Sequence, residues 1–179
     1  MQSLTFERRS DLHTARMQFE KLVATGILST EGSRTPWFEP VITQLLILLS
    51  DLLKAAELMG HRCNLVEDIF CIDENLKSEI KDVTDLVIRC RNACCHVSSG
   101  NKLFESNKFQ FCSIIGHNPN AFFINGRTLG CDYADDIAIM WGPMRLYLKR
   151  NMMRAFDVVA PLFPDPYLDP TPPTNFSNR

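Results

Sequence analysis

Three residues in one short segment have the types and the spacing to act on a phosphate group. Arg91, Asn92 and His96 lie within Val87 to Ser99, where a run of helical periodicity ends. An arginine stays cationic at physiological pH, and its planar guanidinium can hold two phosphoryl oxygens. A histidine can give or take a proton near neutral pH. Together these groups could cleave a phosphodiester without a metal ion.

RNA is the substrate that this chemistry suits, because its 2′-hydroxyl supplies the nucleophile. Cleavage then needs deprotonation of that hydroxyl, protonation of the leaving group and stabilisation of the phosphorane charge. Separate acid and base roles would use two histidines, and a two-fold dimer that brings both Arg91 and both His96 residues to one phosphate would supply them. Asn92 could hold the histidine tautomer or bind a phosphate oxygen. The expected product is a 2′,3′-cyclic phosphate.

The pattern R-N-x-x-x-H near the end of a helix resembles the motif of the HEPN superfamily, with Arg91, Asn92 and His96 at the matching positions. The resemblance implies a mainly all-α fold, a HEPN-like up-and-down bundle of four to five helices that dimerises with two motifs facing each other. It also implies a metal-independent endoribonuclease without a cofactor, in a bacterial defence or toxin–antitoxin setting, with a protein antitoxin or activator as a further partner. The alternative is a non-catalytic HEPN-like module that binds a nucleotide or a protein partner.

The elements that must position these residues are predicted from apolar spacing. The spacing predicts helices over Glu7 to Ala24, over about Pro36 or Pro40 to Met59, and over Asp73 to about Val97, with Gly26 and Gly60 as the first two stops. The second helix is apolar on more than one face, which indicates either burial by its own chain or a shared surface in a dimer. On an ideal helix Arg91 and His96 lie about 140° apart, so they border one cleft only if the helix frays near Ser98 or a partner helix covers that side.

The sequence predicts a small β insertion at about 108–129, before the last helix. Lys108 to Ile115 alternates in polarity, and Asn125-Gly126 is a strong hairpin signal. A final helix is predicted over Ala134 to Ala160, kinked or started at Gly142-Pro143. Residues 1–160 are therefore interpreted as one HEPN-like domain. Six of the ten prolines lie in 161–179, which predicts an extended or disordered tail; a helical interaction protein that uses this tail is a third interpretation.

Four cationic residues could guide RNA to the cleft from one side of the final helix: Arg145, Lys149, Arg150 and Arg154. A charged helix face is more often only solvated. Arg89 is interpreted as structural, paired with Asp85 one turn earlier. Asp132, Asp135 and Asp136 are expected to cap the last helix.

The composition limits the alternatives. A net charge of −2 argues against non-specific nucleic-acid binding, so any contact with RNA must use a local cationic patch. The chain has no export signal or apolar run long enough for a membrane span, which predicts a cytoplasmic protein that contacts no membrane. The seven cysteines are expected to be reduced and mostly buried. Zinc at Cys90, Cys94, Cys95 and His96, or a cysteine nucleophile beside His96, are weaker alternatives, and no metal site is expected.

Overall fold

The computed structural model describes residues 4–95, 103–104, 107–108, 111–124 and 126–168. The described part of the chain contains five α-helices: α1 (Phe6–Ala24), α2 (Phe38–Leu58), α3 (Glu74–Lys77), α4 (Val83–Cys95) and α5 (Arg154–Val159). It also contains eight strands: β1 (Phe70–Cys71), β2 (Leu103–Phe104), β3 (Asn107–Lys108), β4 (Cys112–Ile115), β5 (Asn118–Ile124), β6 (Arg127–Cys131), β7 (Ile137–Trp141) and β8 (Met144–Tyr147). A π-helical stretch, Leu148–Met153, precedes α5, and 3₁₀ turns occur at Gly32–Arg34 and Ala160–Leu162.

The prediction of a mainly all-α bundle is wrong, because the fold is mixed α/β. An antiparallel sheet has the strand order β1-β8-β7-β4, and β5 pairs with β6 and β2 with β3 in separate hairpins. Helix α4 packs against β7 and β8 of the four-stranded sheet, and α2 packs on α4 and contacts α1 and α5. The sheet is therefore a layer of the fold and not a small insertion in a bundle.

The structure has a β-hairpin over 137–147, in place of the first half of the predicted last helix. Gly142-Pro143 is its two-residue turn, with Trp141 opposite Met144. Gly142 has a φ of +56°, as the first position of a type II′ hairpin turn requires. The helical segment begins only at Leu148, after the hairpin has closed.

Strand β7 has the apolar pattern of a buried helix because both of its faces are buried. Ile137, Ile139 and Trp141 pack with the helices, whereas Ala138 and Met140 pack against the β5–β6 hairpin. Every residue of the strand is therefore apolar and the polar–apolar alternation is missing. An uninterrupted apolar run of this length does not distinguish a buried strand from a helix by periodicity alone.

The predicted third helix is divided in two. Asp73 caps the short helix α3, accepting hydrogen bonds from the backbone N–H groups of Asn75 and Leu76 at 2.9 and 3.1 Å. The chain then leaves the helical path, and α4 begins at Val83 after a new cap, Asp82, whose carboxylate accepts from the N–H of Asp85 at 3.1 Å.

Helix α2 is the centre of the main core. Eleven of its residues are buried, among them Leu45, Leu49 and Leu53 with no exposed surface. Helices α1, α4 and α5 of the same chain cover it. Of the two explanations for its apolar surface, burial by its own chain is the one the structure supports, so α2 supplies no argument for a second copy.

The C-terminal part of the described chain packs onto the helical layer. Phe163 is buried in the main core, and the ring of Tyr167 meets that of Phe6 edge-on at 5.3 Å. Phe163 therefore packs in the core, whereas Tyr167 and Leu168 are 75% and 80% exposed, and 169–179 lie outside the described residues. None of the helices described is both long and apolar enough to cross a membrane.

Candidate active site at the end of helix α4

Helix α4 carries Arg91 and Asn92 on its last turn. Its apolar stripe, which includes Leu86, Val87 and Cys90, packs against α2 and leaves the opposite side open. Arg91 and Asn92 are both half-buried at the edge of that open side. The sequence therefore places a cation and an amide beside each other, and packing of the stripe on α2 decides how far each is exposed.

Among the described residues, the Arg91 guanidinium has a polar neighbour but no anionic one. Its Nη1 donates to the Asn92 Oδ1 at 3.2 Å. Its Nε is buried and has no hydrogen-bond partner. Within the described residues no carboxylate forms an ion pair with Arg91. A half-buried guanidinium with no counter-ion among the described residues favours binding of an external anion.

Arg89, two residues earlier on the same helix, is different. Its guanidinium donates to the Glu79 carboxylate, and Asp85 is instead bonded to Arg62. The predicted Asp85–Arg89 pair is therefore wrong, although Arg89 does have a carboxylate partner. Glu79, Asp85, Arg89 and Asn92 line a depression of about 230 Å³ on this side of the helix. The two carboxylates make this side less suited to a polyanion, so an anion is expected to approach Arg91 from elsewhere.

His96, the third predicted catalytic residue, lies outside the described residues, because the described part of α4 ends at Cys95. Arg91 and Asn92 are brought together, with a hydrogen bond between them. Whether His96 joins them stays a prediction. Asn92 has its Oδ1 bonded to Arg91, so its expected role shifts from holding the histidine towards orienting the guanidinium.

The cysteines beside the motif have the properties of protonated thiols. Burial, and then the adjacent Cys95 sulfur, raise the pKa of Cys94 to about 12, and burial raises the pKa of Cys90 even further. A thiol with a raised pKa is a poor nucleophile near neutral pH. No group of three or more potential metal ligands occurs in the part of the chain that the structure describes.

The four predicted RNA-guiding cations do not share one helix side, because Arg145 lies in strand β8. Its guanidinium stacks between the rings of Phe70 and Tyr147, with centroids at 4.7 and 4.6 Å, and forms an ion pair with Asp132 at 3.0 Å. Only 11% of its side chain is exposed. Arg145 is therefore built into the sheet, which leaves few of its donors for a ligand.

Lys149, Arg150 and Arg154 do lie on the final helical segment, and each has a carboxylate partner. Arg150 pairs with Asp135 and Asp136 at 3.0 and 3.1 Å. Lys149 and Arg154 have longer contacts, at 4.0 Å to Asp135 and 3.9 Å to Glu67. Their role in guiding RNA stays a prediction, and Lys149 and Arg154 are the more exposed candidates.

The capping prediction is confirmed for Asp136. Its buried carboxylate accepts from the backbone N–H groups of Lys149 and Arg150, at 2.9 and 3.1 Å. Asp132 and Asp135 instead pair with arginines. Asp136 therefore caps a helical segment that begins twelve residues later, across the β7–β8 hairpin.

Arg62, for which the sequence predicts no role, fixes the start of α4. Its Nε donates to the Asp82 Oδ2 at 2.7 Å and its Nη2 to the Asp85 Oδ1 at 2.6 Å, and its Nη1 donates to the Glu57 carboxylate. These hydrogen bonds, above all that to Asp82, raise the pKa of Arg62. No local signal could have found this residue, since Asp82 and Asp85 follow it by 20 and 23 positions.

The fold is mixed α/β, and on the last described turn of α4 Arg91 and Asn92 are half-buried, with no carboxylate of the described residues paired with Arg91. The sequence matches no family model, and neither a curated protein nor a solved structure gives a significant match.

Proposed function

We propose that this protein is a metal-independent endoribonuclease that binds a phosphodiester at Arg91 and cleaves it with His96. The observation that best supports the proposal is the environment of the Arg91 guanidinium. Its guanidinium is half-buried, and no described carboxylate neutralises it. An RNA phosphate carries the charge and the pair of oxygens that such a group binds.

In the proposed reaction, an imidazole removes the proton of the 2′-hydroxyl, and the 2′-oxygen attacks the adjacent phosphorus. The bond from phosphorus to the 5′-oxygen breaks, and that oxygen takes up a proton. Arg91 neutralises the charge that develops on the phosphoryl oxygens. Asn92 holds the guanidinium through its Oδ1. The products are a 2′,3′-cyclic phosphate and a 5′-hydroxyl, and no metal ion takes part.

A homodimer is part of the proposal, because one chain carries a single histidine in the motif. Two chains related by a two-fold axis would place one imidazole as base and the other as acid around one phosphate. The reason for the dimer is the chemistry alone. The apolar surface of α2 does not support a dimer, because its own chain covers it. The bacterial defence or toxin–antitoxin setting, with its antitoxin or activator, comes from the motif resemblance.

The test is cleavage of a labelled single-stranded RNA by the purified protein in EDTA. His96→Ala is expected to lower the rate by about 10²–10⁴, as for loss of a general acid or base. Arg91→Ala is expected to lower the rate by about 10²–10³, as for loss of transition-state charge stabilisation. Arg89→Ala is the matched control: it removes the same charge from the same helix, but Arg89 is already paired with Glu79, so activity is expected to be kept.

Cleavage at the wild-type rate by both the Arg91→Ala and the His96→Ala variant would exclude the assigned site, and activity that EDTA abolishes would exclude the mechanism. Sedimentation of the active protein as a monomer would exclude the composite site.

The second candidate is a non-catalytic module that binds a nucleotide or a partner carboxylate at Arg91. The same half-buried guanidinium, with no carboxylate of the described residues beside it, favours this function. It predicts binding of a fluorescent oligonucleotide that Arg91→Ala weakens and His96→Ala leaves unchanged, with no cleavage by the wild type.

A further inference from the structure

The last turn of α4 also places two thiols in contact. The Sγ atoms of Cys94 and Cys95 are 3.9 Å apart, and both residues are half-buried and unoxidised. Cys94 is held in place because its S–H donates to the Arg91 carbonyl oxygen at 3.1 Å. Two adjacent side chains on a helix leave the axis about 100° apart, so their sulfurs meet only when both side chains turn towards each other.

A direct disulfide does not fit this pair while the helix is intact. Neighbouring Cα atoms are about 3.8 Å apart across a trans peptide, whereas disulfide-bonded cysteines usually have Cα atoms about 4.4–6.8 Å apart. An S–S bond would therefore require the last turn of α4 to unwind. A single atom that bonds to both sulfurs can instead close the ring across the observed separation.

We propose that Cys94 and Cys95 form a two-thiol site for a trivalent arsenical. In the reaction, an organoarsenic oxide forms two As–S bonds and loses its oxygen, which leaves as water with both thiol protons. Arsenic stays trivalent, so no oxidant or reductant is needed. The proposal does not depend on the ribonuclease activity.

The exchange leaves no charge in the half-buried site. Burial, and then the neighbouring sulfur, raise the pKa of Cys94, which keeps the thiol neutral at physiological pH. The two thiols supply the two protons that the leaving water requires, and the neutral product avoids a buried charge.

The probe is phenylarsine oxide, added to the reduced full-length protein and followed by intact mass. One adduct per chain is expected, with the mass of a phenylarsenic group less two hydrogens. An excess of dithiothreitol should remove it and an excess of a monothiol should not, because only a second dithiol matches the chelate. Cys94→Ser and Cys95→Ser should each weaken binding by about 10²-fold or more, since each loses the intramolecular second bond.

Cys112→Ser is the matched control, because Cys112 is also a half-buried cysteine and lies on strand β4, away from this turn; it should bind like the wild type. Cys90 lies one helical turn before Cys94 and could form a different dithiol with it. Cys90→Ala tests this alternative and should also bind like the wild type. An adduct that persists in Cys95→Ser and disappears in Cys90→Ala would overturn the proposal, as would a wild type that takes up no arsenical. Circular dichroism of each variant verifies that the helices are intact.

Discussion

Replacing Asp136 by alanine removes the carboxylate that joins strand β7 to the final helical segment. The Asp136 side chain has no exposed surface. Its Oδ1 accepts from the N–H groups of Ile137 and Lys149 at 2.8 and 2.9 Å. Its Oδ2 accepts from the N–H and the Nη1 of Arg150, both at 3.1 Å. One side chain therefore satisfies three backbone donors and shares the Arg150 guanidinium with Asp135.

The expected loss of stability follows from these bonds. Asp136→Ala leaves three backbone donors without their acceptor, and each buried unsatisfied donor costs about 1–3 kcal/mol, partly offset when water enters. The Arg150 guanidinium keeps its ion pair with Asp135, at 3.0 Å. Loss of the Arg150–Asp136 ion pair therefore adds little to the destabilisation. The expected decrease in the free energy of unfolding is about 3–5 kcal/mol, which lowers Tm by roughly 10 °C for a chain of this size.

Urea denaturation followed by circular dichroism measures the effect. Asp135→Ala is the matched control: it removes a neighbouring carboxylate that is 63% exposed and also contacts Arg150, so a change within about 0.5 kcal/mol is expected. Asp136→Asn should fall between the two, at about 2 kcal/mol, because it keeps one acceptor oxygen but turns an amide N–H₂ towards the Arg150 donors. Equal destabilisation by Asp136→Ala and Asp135→Ala would refute the reasoning, since the donors would then be satisfied without the carboxylate.

Three further predictions concern other parts of the molecule. Arg62→Met should lower the free energy of unfolding by about 2–3 kcal/mol in urea denaturation, because the nearly buried Asp82 loses two of its hydrogen bonds; a neutral result would mean that the network adds nothing to stability. Phe19→Ala should cost about 3–5 kcal/mol in the same assay, since the ring is fully buried, and a loss below 1 kcal/mol would contradict the packing. Hydrogen bonding to Arg127 lowers the pKa of Glu74, so this pair stabilises the fold above the ordinary pKa of a glutamate and the contribution is lost as the pH falls through the lowered pKa. An NMR titration of the Glu74 carboxyl should show its pKa rising towards the ordinary value in Arg127→Ala, and an unchanged titration would exclude the pair.

Local signals in the sequence determined the ends of the first two helices. The predicted stops at Gly26 and Gly60 agree with helices that end at Ala24 and Leu58, and both glycines have positive φ, at +77° and +87°. Gly126 likewise lies at the tip of the predicted hairpin, between β5 and β6. Such signals are readable because a glycine with positive φ is required by the backbone of its own turn.

The candidate site could be predicted only in part. The types and order of Arg91, Asn92 and His96 are plain in the sequence, and the structure brings the first two into hydrogen-bond contact. The absence of an ion pair to Arg91 in the described chain could not be predicted, because Glu79 is bonded to Arg89 and Asp85 to Arg62. Which carboxylate forms an ion pair with which arginine depends on how α4 packs against the loops around it.

The sequence by itself determined where the chain turns, which residues can carry charge or a proton, and which segments must be buried. Only the tertiary structure decided that 137–147 form strands. Burial on both faces made β7 uniformly apolar, and the strands that pair with this hairpin, β1 and β4, precede it by 73–75 and 22–28 residues in the paired positions. A turn is stabilised by its own few residues, whereas a strand is stabilised by neighbours that the chain supplies from elsewhere.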